Sequence, residues 1–499
     1  MKISLPSVKC LIVGLLWLMV PTGRISAQFS LSVPDSTRTA FPLPRAYRAV
    51  WFTTLGGLDW PSAPATNASS RARQQADLCR QFDQLKAAGI NTILFQTRLR
   101  GTVAYRSELE PFDYVFAGKS CADPGYDPLA FAVEQAHRRG MELHAWVVAF
   151  PVCRLSDMKS LGAKALPRLH PELCYKSQEL YLMDPGQPGT ADYLARLCVE
   201  IASRYEVDGI HLDYIRYPEN GIRFDDRHTY QRYGKGTPLK QWRRENVSHV
   251  VETVAEAVRA VRPDIRMSCS PVGKYDDTAR YSSKGWNAFT AVCQDPVEWV
   301  EKGWMDVLFP MMYFDGDNFY PFLFDWKERV GANHIAPGLG LYQIDRREGN
   351  RTLTSLTRQT FVIEQQRLAG FAFFRTRFLL ANTKGCYDFY RGLYGQTAVL
   401  PPAKQFGLPE KPLPRPSATI RQVGHSLQFA WSPRYDADGH RLWVNIYRID
   451  PAGPTLLQSR IEASTHRLEV ALPQMMHCCY ALTFYDRYGR ESEPAFVGL

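Results

Sequence analysis

Strand-like and helix-like segments alternate regularly through most of the chain. Short β-branched or aromatic runs are each followed by a longer stretch with helical periodicity, which is typical of βα units in a parallel sheet. No glycine-rich phosphate turn follows the first run, which argues against a doubly wound open sheet. The number of runs predicts a (β/α)8 TIM barrel over residues 47–395. The eight strand-like runs are 48–53, 91–98, 142–150, 209–216, 265–272, 305–314, 335–342 and 370–377.

Helical segments lie between these runs, and a linker and a second domain follow them. A proline-rich stretch, 396–416, predicts a stiff linker, and the runs beyond it have no helical period. These runs predict a small all-β sandwich at 417–499, similar to a fibronectin type III domain in its early Trp431 and late Tyr480. The predicted barrel helices are 74–88, 127–139, 191–205, 245–261 and 355–368.

The first 27 residues have the pattern of a secretory signal peptide. Lys2 and Lys9 precede the apolar run 11–20, and small residues follow it. The run is well short of the ~20 residues that cross a bilayer as a helix. We therefore expect an exported protein without an integral membrane span, periplasmic or extracellular and cell-surface located, with an N-terminal extension at 28–46.

Charge and cysteine usage exclude several partners. The formal net charge is +10, but the basic residues form no Lys/Arg block, so nucleic acid is not expected as a partner. Ten of the 11 cysteines follow residue 27 without metal-ligand spacing, and neither a metal nor another cofactor is predicted. A bridge between Cys153 and Cys174 stays open at this stage, as does the oligomeric state.

The fourth strand-like run carries the best catalytic candidate. In a TIM barrel the active site lies at the carboxyl ends of the strands. Period-two alternation places His211 and Asp213 on one face of this run, opposite Ile210, Leu212 and Tyr214. If that face is the inner one, Asp213 lies at the barrel mouth. A carboxylate there can attack an anomeric carbon or stabilise an oxocarbenium-like transition state.

Several segments resemble the glycosyl-hydrolase-like family 10 barrels. They are VDGIHLDYIRYP at 207–218, RAVWFTTLGGLDWPS at 48–62, QTRLRGTVAYRSELEPF at 96–112, LHAWVV at 143–148 and DVLFPMMYF at 306–314. The resemblance covers roughly residues 47–394 and implies a polysaccharide-cleaving barrel, with Asp213 matching the aspartate of the family's motif. Some members of this family act on peptidoglycan.

Other residues near the strand ends are candidates for binding a sugar. Arginine and glutamine hold hydroxyl, acetamido or carboxylate groups, and tryptophan and tyrosine stack on the apolar faces of sugar rings. His144 is equally compatible with a structural role inside the barrel. The predicted substrate-binding residues are Gln96, Arg98, His144, Trp146, Trp60, Trp286, Tyr313 and Tyr217.

A two-carboxylate mechanism also needs a proton donor. Asp315 is the preferred candidate, because it follows the sixth strand-like run, across the barrel mouth from the fourth. Asp276, Asp277 and Glu219 are the alternatives.

The sequence thus predicts a glycoside hydrolase that acts on an envelope or extracellular polysaccharide, with peptidoglycan glycan strands as the favoured substrate. One alternative is a non-catalytic glycan-binding surface protein on the same scaffold. Metal-assisted deacylation is a weaker alternative, because His137, His144 and His211 lie on separate elements without a short ligand motif.

Overall fold

The computed structural model describes residues 45–218, 222–395, 398–402, 411–432, 442–450, 453–465, 467–471 and 479–498. The predicted signal peptide, most of the N-terminal extension, and residues 396–397 and 403–410 of the linker lie outside these residues. Within them, no helix is long and apolar enough to cross a membrane.

Eight parallel strands form a curled sheet, which confirms the predicted TIM-barrel class. Their spatial order is β7, β8, β1, β2, β3, β4, β5, β6. Parallel bridges Leu308–Ile335 and Met311–Gly338 join the two outermost strands. The strands are β1 (Tyr47–Phe52), β2 (Thr92–Arg98), β3 (Glu142–Val148), β4 (Gly209–Asp213), β5 (Arg266–Cys269), β6 (Val307–Leu308), β7 (Gly338–Gly340) and β8 (Gly370–Phe374).

Helices cover the outside of the sheet and begin where side chains cap them. Asn67 accepts a hydrogen bond from the Ser70 N–H in a capping box, and Asp127 accepts one from the Ala130 N–H. The first of these helices therefore starts several residues before its apolar periodicity becomes visible. The main helices are Ala68–Ala87, Pro128–Arg138, Pro188–Arg204, Leu239–Val261, Pro296–Glu301, Tyr320–Val330, Leu353–Gln365 and Cys386–Tyr394.

Aromatic and polar side chains fill the barrel interior below the mouth. The Trp51 Nε1–H donates to Nε2 of His211 at 3.2 Å, and Nδ1 of His211 lies 3.0 Å from the Ser268 hydroxyl. Burial holds the pKa of His211 well below its usual value, so the ring is neutral and can accept from Trp51. The predicted inner face of β4 is thereby confirmed for His211, while Ile210 and Leu212 pack on the helix side.

A small antiparallel sheet is inserted between β3 and the helix Pro188–Arg204. This loop sheet consists of Pro151–Arg154, Leu180–Met183 and Cys174–Lys176, in that spatial order. Cys153 and Cys174 lie on its two outer strands and are both free thiols. Two strand spacings separate their backbones by roughly 9 to 10 Å, beyond the reach of a disulfide.

The C-terminal part is all-β, as predicted, and forms two packed antiparallel sheets. One contains Ser417–Val423, Ser426–Ser432 and Arg467–Ala471, and the other contains Gly453–Glu462, Trp443–Asp450, Cys479–Tyr485 and Ala495–Gly498. Trp431 and Tyr480 are both buried in the core between them. The likeness to a fibronectin type III domain stays a prediction.

A buried charge network joins this sandwich to the barrel floor, the end opposite the mouth. Arg460 of the sandwich pairs with Asp208 at 2.6 Å and with Glu142 at 3.4 Å. His137 Nε2 lies 2.8 Å from the second Asp208 oxygen, and Arg266 pairs with Glu142 at 3.3 Å. Burial opposes the charge of Asp208, but Arg460 and His137 outweigh it and hold the pKa of this carboxyl well below its usual value. The sandwich therefore supplies a cation that stabilises buried carboxylates of the barrel.

We expect Arg460→Met to lower the free energy of unfolding by about 3 to 5 kcal/mol, because it removes the buried cation that Asp208 and Glu142 share. Arg227→Met is the control, since Arg227 is 80% exposed and its ion pair with Asp225 is screened by solvent, so this variant should unfold at nearly the same urea concentration as the parent. Urea denaturation followed by circular dichroism measures both. Equal midpoints for Arg460→Met and the parent would contradict a stabilising role of the network.

Candidate active site at the barrel mouth

A cavity of about 420 Å³ opens at the carboxyl ends of the barrel strands. The barrel supplies its base and one side, and the loop sheet supplies another side. Most of its lining is apolar, which is usual for a small-molecule or sugar site with a few fixed polar groups. Its lining comprises Thr53, Leu55, Leu58, Gln96, Leu99, Arg100, Trp146, Val148, Phe150, Pro151, Val152, Cys153, Leu180, Tyr181, Leu182, Met183, Pro185, Asp213, Tyr214, Arg216, Tyr217, Pro218, Ile222, Met311, Tyr313 and Phe374.

Asp213 is the carboxylate that the described residues contribute to this lining. It is the last residue of β4, in register with Val148 at the end of β3. Its Oδ1 accepts hydrogen bonds from the Ser270 hydroxyl and the Tyr214 N–H, both at 2.8 Å. Its Oδ2 accepts one from the Trp146 Nε1–H at 3.0 Å. Three hydrogen-bond donors on its two oxygens suit an ionised carboxylate.

Two opposing effects set the proton affinity of Asp213. Burial is the larger and raises its pKa, because the apolar surroundings penalise the charge. Arg216 and the three hydrogen-bond donors act in the other direction and lower it. When it is ionised, such a desolvated carboxylate interacts more strongly with a developing positive charge than a solvated one would.

Four predicted binding residues do line the cavity. Gln96 Oε1 accepts from the Thr54 and Leu55 N–H groups, which leaves its amide nitrogen on the other side. The Tyr313 ring stacks on Phe374, with centroids 5.2 Å apart. Tyr217 accepts a hydrogen bond from Asn246 and is almost fully buried. Trp146, only 4% exposed, acts as the donor to Asp213 and not as a broad stacking surface.

Two predicted binding residues are buried and contact glutamates away from the cavity. Arg98 is completely buried, forks onto the Glu110 carboxylate and donates to the Val148 and Ala149 carbonyls. It therefore braces the end of β3 and cannot reach a sugar. His144 is also completely buried, near the barrel floor, with Nε2 3.2 Å from Glu142. His144 therefore has a structural role inside the barrel.

Two predicted stacking residues also lie outside the cavity. Trp60 has no exposed surface, and its Nε1–H donates to the Gln74 carbonyl at 2.9 Å. The loop that carries it folds back into the core, so the expectation of a sugar platform is wrong. Trp286 is half-buried against Val272 and Ala288 and does not line the cavity.

The preferred proton donor is not brought to the cavity either. Oδ1 of Asp315 accepts the Gly316 N–H and caps a short 3₁₀ turn. Asp276 and Asp277 bind the Thr290 hydroxyl and the Gly285 N–H in their own loop. None of these three aspartates lines the cavity, and Glu219 lies outside the described residues.

Sequence reasoning missed several residues of this site. Ser270 continues the inward alternation of Ser268 on strand β5, and that spacing could have identified it. The apolar wall from the loop sheet gave no such signal, because its short strands lie within a segment that has the composition of a loop. Within the described part of the chain, no cluster of three His, Cys, Asp or Glu side chains could hold a metal ion.

Comparison with known proteins identifies the family. The sequence profile described as "Glycosyl hydrolase-like 10" matches residues 46–339. The glycosyl hydrolase DigH of Escherichia coli strain K12 is 32% identical over 286 residues, which cover 54% of this chain but only 65% of that relative. The glycosyl hydrolase YngK of Bacillus subtilis strain 168 is 27% identical over 505 residues, or 94% of this chain and 96% of the relative.

Among solved structures, the PgaB (BpsB) glycoside hydrolase domain from Bordetella bronchiseptica matches with a TM-score of 0.46 and 12% identity. The match covers 70% of this chain and 98% of that domain. The catalytic domain of a β-amylase from Paenibacillus polymyxa matches with a TM-score of 0.44, also at 12% identity, over 70% of this chain and 97% of that domain.

We expect Ser270→Ala to raise the pKa of Asp213 further, because it removes a hydrogen bond that stabilises the ionised form. Ser268→Ala is the matched control on the same strand, where the hydroxyl contacts His211 and not Asp213. A ¹³C carboxyl NMR titration, with the Asp213 resonance assigned through Asp213→Asn, gives the pKa of Asp213 in the parent and in both serine variants. An unchanged pKa in Ser270→Ala would show that this hydroxyl does not support the charge.

Proposed function

Because the chain belongs to the glycosyl hydrolase-like 10 family, we propose that it is a glycoside hydrolase with its active centre at Asp213. The observation that carries the proposal is a single desolvated carboxylate, fixed by three donors, in a largely apolar cavity at the barrel mouth. In this fold, the carboxyl ends of the strands are where catalytic groups lie.

The proposed role of Asp213 is nucleophile or electrostatic stabiliser. Glycosidic cleavage develops positive charge at the anomeric carbon and ring oxygen. A carboxylate that is already oriented and desolvated meets that charge without reorganising in the transition state. Trp146, Ser270 and the Tyr214 N–H are positioning groups, since they hold the carboxylate oxygens and leave one lone pair for the substrate.

The cavity lining supports an N-acyl amino-sugar polymer as the substrate, and peptidoglycan glycan strands are our preferred one. A sugar hydroxyl buried without a hydrogen-bond partner costs about 1 to 3 kcal/mol. Leucine, valine, phenylalanine and methionine side chains form much of the lining. Acetamido and lactyl substituents carry methyl groups that match such a wall better than a fully hydroxylated sugar does.

Export to the periplasm or the cell surface is also part of the proposal. It is supported by the signal-peptide pattern of residues 1–27. An envelope polysaccharide is accessible to the protein only after it leaves the cytoplasm.

A specific observation favours a second candidate function, non-catalytic glycan binding. Asp213 has no second carboxylate beside it in the described lining of the cavity, whereas hydrolysis by two carboxylates requires one. Asp276, Asp277 and Asp315 do not fill that role, and Glu219 stays a prediction. A binding protein would keep the apolar cavity and need no proton donor.

We expect Asp213→Asn to lower turnover about a hundredfold or more and to leave substrate affinity nearly unchanged, because it removes a charge used in the transition state. Asp315→Asn is the matched control and should stay within about threefold of the parent, under ~0.7 kcal/mol of barrier. Mass spectrometry of saccharides released from glycan strands, with and without stem peptides, measures turnover.

The two candidate functions give opposite results in this experiment. If the parent binds glycan strands but releases nothing from them or from a broad polysaccharide panel, the binding function is correct. If Asp213→Asn melts like the parent and keeps more than about a tenth of its turnover, a loss under ~1.4 kcal/mol, Asp213 is not catalytic.

A further inference from the structure

Tyr214 has an unusual backbone conformation directly beside the active carboxylate. Strand alternation predicts that it points away from the barrel interior, as Ile210 and Leu212 do. Instead its φ is +51°, in the left-handed region, and its side chain lines the cavity. Its N–H donates to Asp213 Oδ1 at 2.8 Å, so the same turn orients the carboxylate and redirects the ring.

The left-handed conformation is energetically unfavourable for a residue that has a side chain. A residue with a Cβ in the left-handed region loses about 1 to 2 kcal/mol relative to its normal conformation, whereas glycine loses almost nothing. Of the nine described non-glycine residues with positive φ, Tyr214 is the one that lines the cavity. Local strain of this kind is concentrated at ligand-binding positions.

The ring is both exposed and held in place. Tyr214 is 41% exposed, and among the described large hydrophobic residues that are exposed, it and Leu58 are the two that line the cavity. The Arg216 guanidinium carbon lies 4.4 Å from the Tyr214 ring centroid, and Arg216 itself is only 5% exposed. A buried cation beneath the ring limits its rotation and presents it at the cavity opening.

We propose that Tyr214 is a stacking platform for the sugar unit next to the one held over Asp213. The C–H face of a pyranose is apolar and packs on an aromatic ring, as in other sites lined by aromatic side chains. A rigid platform pre-organised in the free protein binds with less loss of side-chain freedom. The inference rests on the proposed carbohydrate function and adds a second subsite, which makes the protein selective for chains longer than one or two sugars.

The test compares Tyr214→Gly with Tyr214→Phe on two probes, a disaccharide and a tetrasaccharide of alternating N-acetylglucosamine and N-acetylmuramic acid. Glycine removes the ring and relieves the backbone strain, so this variant should melt with or above the parent. We expect it to weaken tetrasaccharide binding about tenfold, equivalent to ~1.4 kcal/mol, and disaccharide binding much less. Tyr214→Phe restores the ring and should rescue most of the affinity.

Phe361→Ala is the control for loss of an exposed aromatic side chain, because Phe361 is 47% exposed on the helix Leu353–Gln365 and does not line the cavity. It should bind both probes like the parent. If Tyr214→Gly binds the tetrasaccharide as tightly as the parent does, the platform is refuted while the carbohydrate function stands. If the parent neither binds nor cleaves either probe, the proposed function falls and the platform falls with it.

Discussion

The chemistry of the site depends on one buried carboxylate in an apolar cavity. Burial raises the pKa of Asp213, and Arg216 opposes this together with three hydrogen-bond donors: Ser270 after β5, the Tyr214 N–H after β4, and Trp146 on β3. Trp146 and Ser270 reach the carboxylate only if the neighbouring strands have the observed register, whereas the Tyr214 N–H belongs to the next residue of the chain. The fold therefore sets the chemistry of the site, because a shift of one residue would turn these side chains to the other face of the sheet.

At the opposite end of the barrel, buried carboxylates are stabilised by direct ion pairs. Glu142 and Asp208 are buried at the floor, and Arg460 reaches them from the sandwich. The sandwich backbone approaches closely there: a Cβ on Gly140 would lie 2.6 Å from the Ser459 carbonyl oxygen, and Gly140 has a φ of +68°. Close packing and charge pairing thus make the sandwich a structural part of the floor. At the mouth, the groups that stabilise Asp213 come from the barrel and its loops. The described lining of the cavity includes no residue of the sandwich.

Much of the fold and the location of the site follow from sequence patterns. Whether a given residue lines the cavity or is buried in the interior does not. Period-two alternation correctly placed Asp213 at the mouth, because that position depends only on strand order and length. It could not show that Arg98 and His144, which we expected to bind a sugar, are held in the interior by Glu110 and Glu142. Trp60 appeared available because its segment looks like a loop. Tyr214 was placed on the wrong side, since a single left-handed residue ends the alternation.

The central claim is hydrolysis at the anomeric carbon over Asp213, and isotope incorporation tests it most directly. The purified protein is incubated with peptidoglycan glycan strands in H₂¹⁸O, and the masses of the released saccharides are measured by mass spectrometry. Hydrolysis predicts one ¹⁸O atom at each new reducing end, with the product absent when Asp213→Asn replaces the parent. Released saccharides without the label, or equal labelled product from Asp213→Asn, would contradict the account.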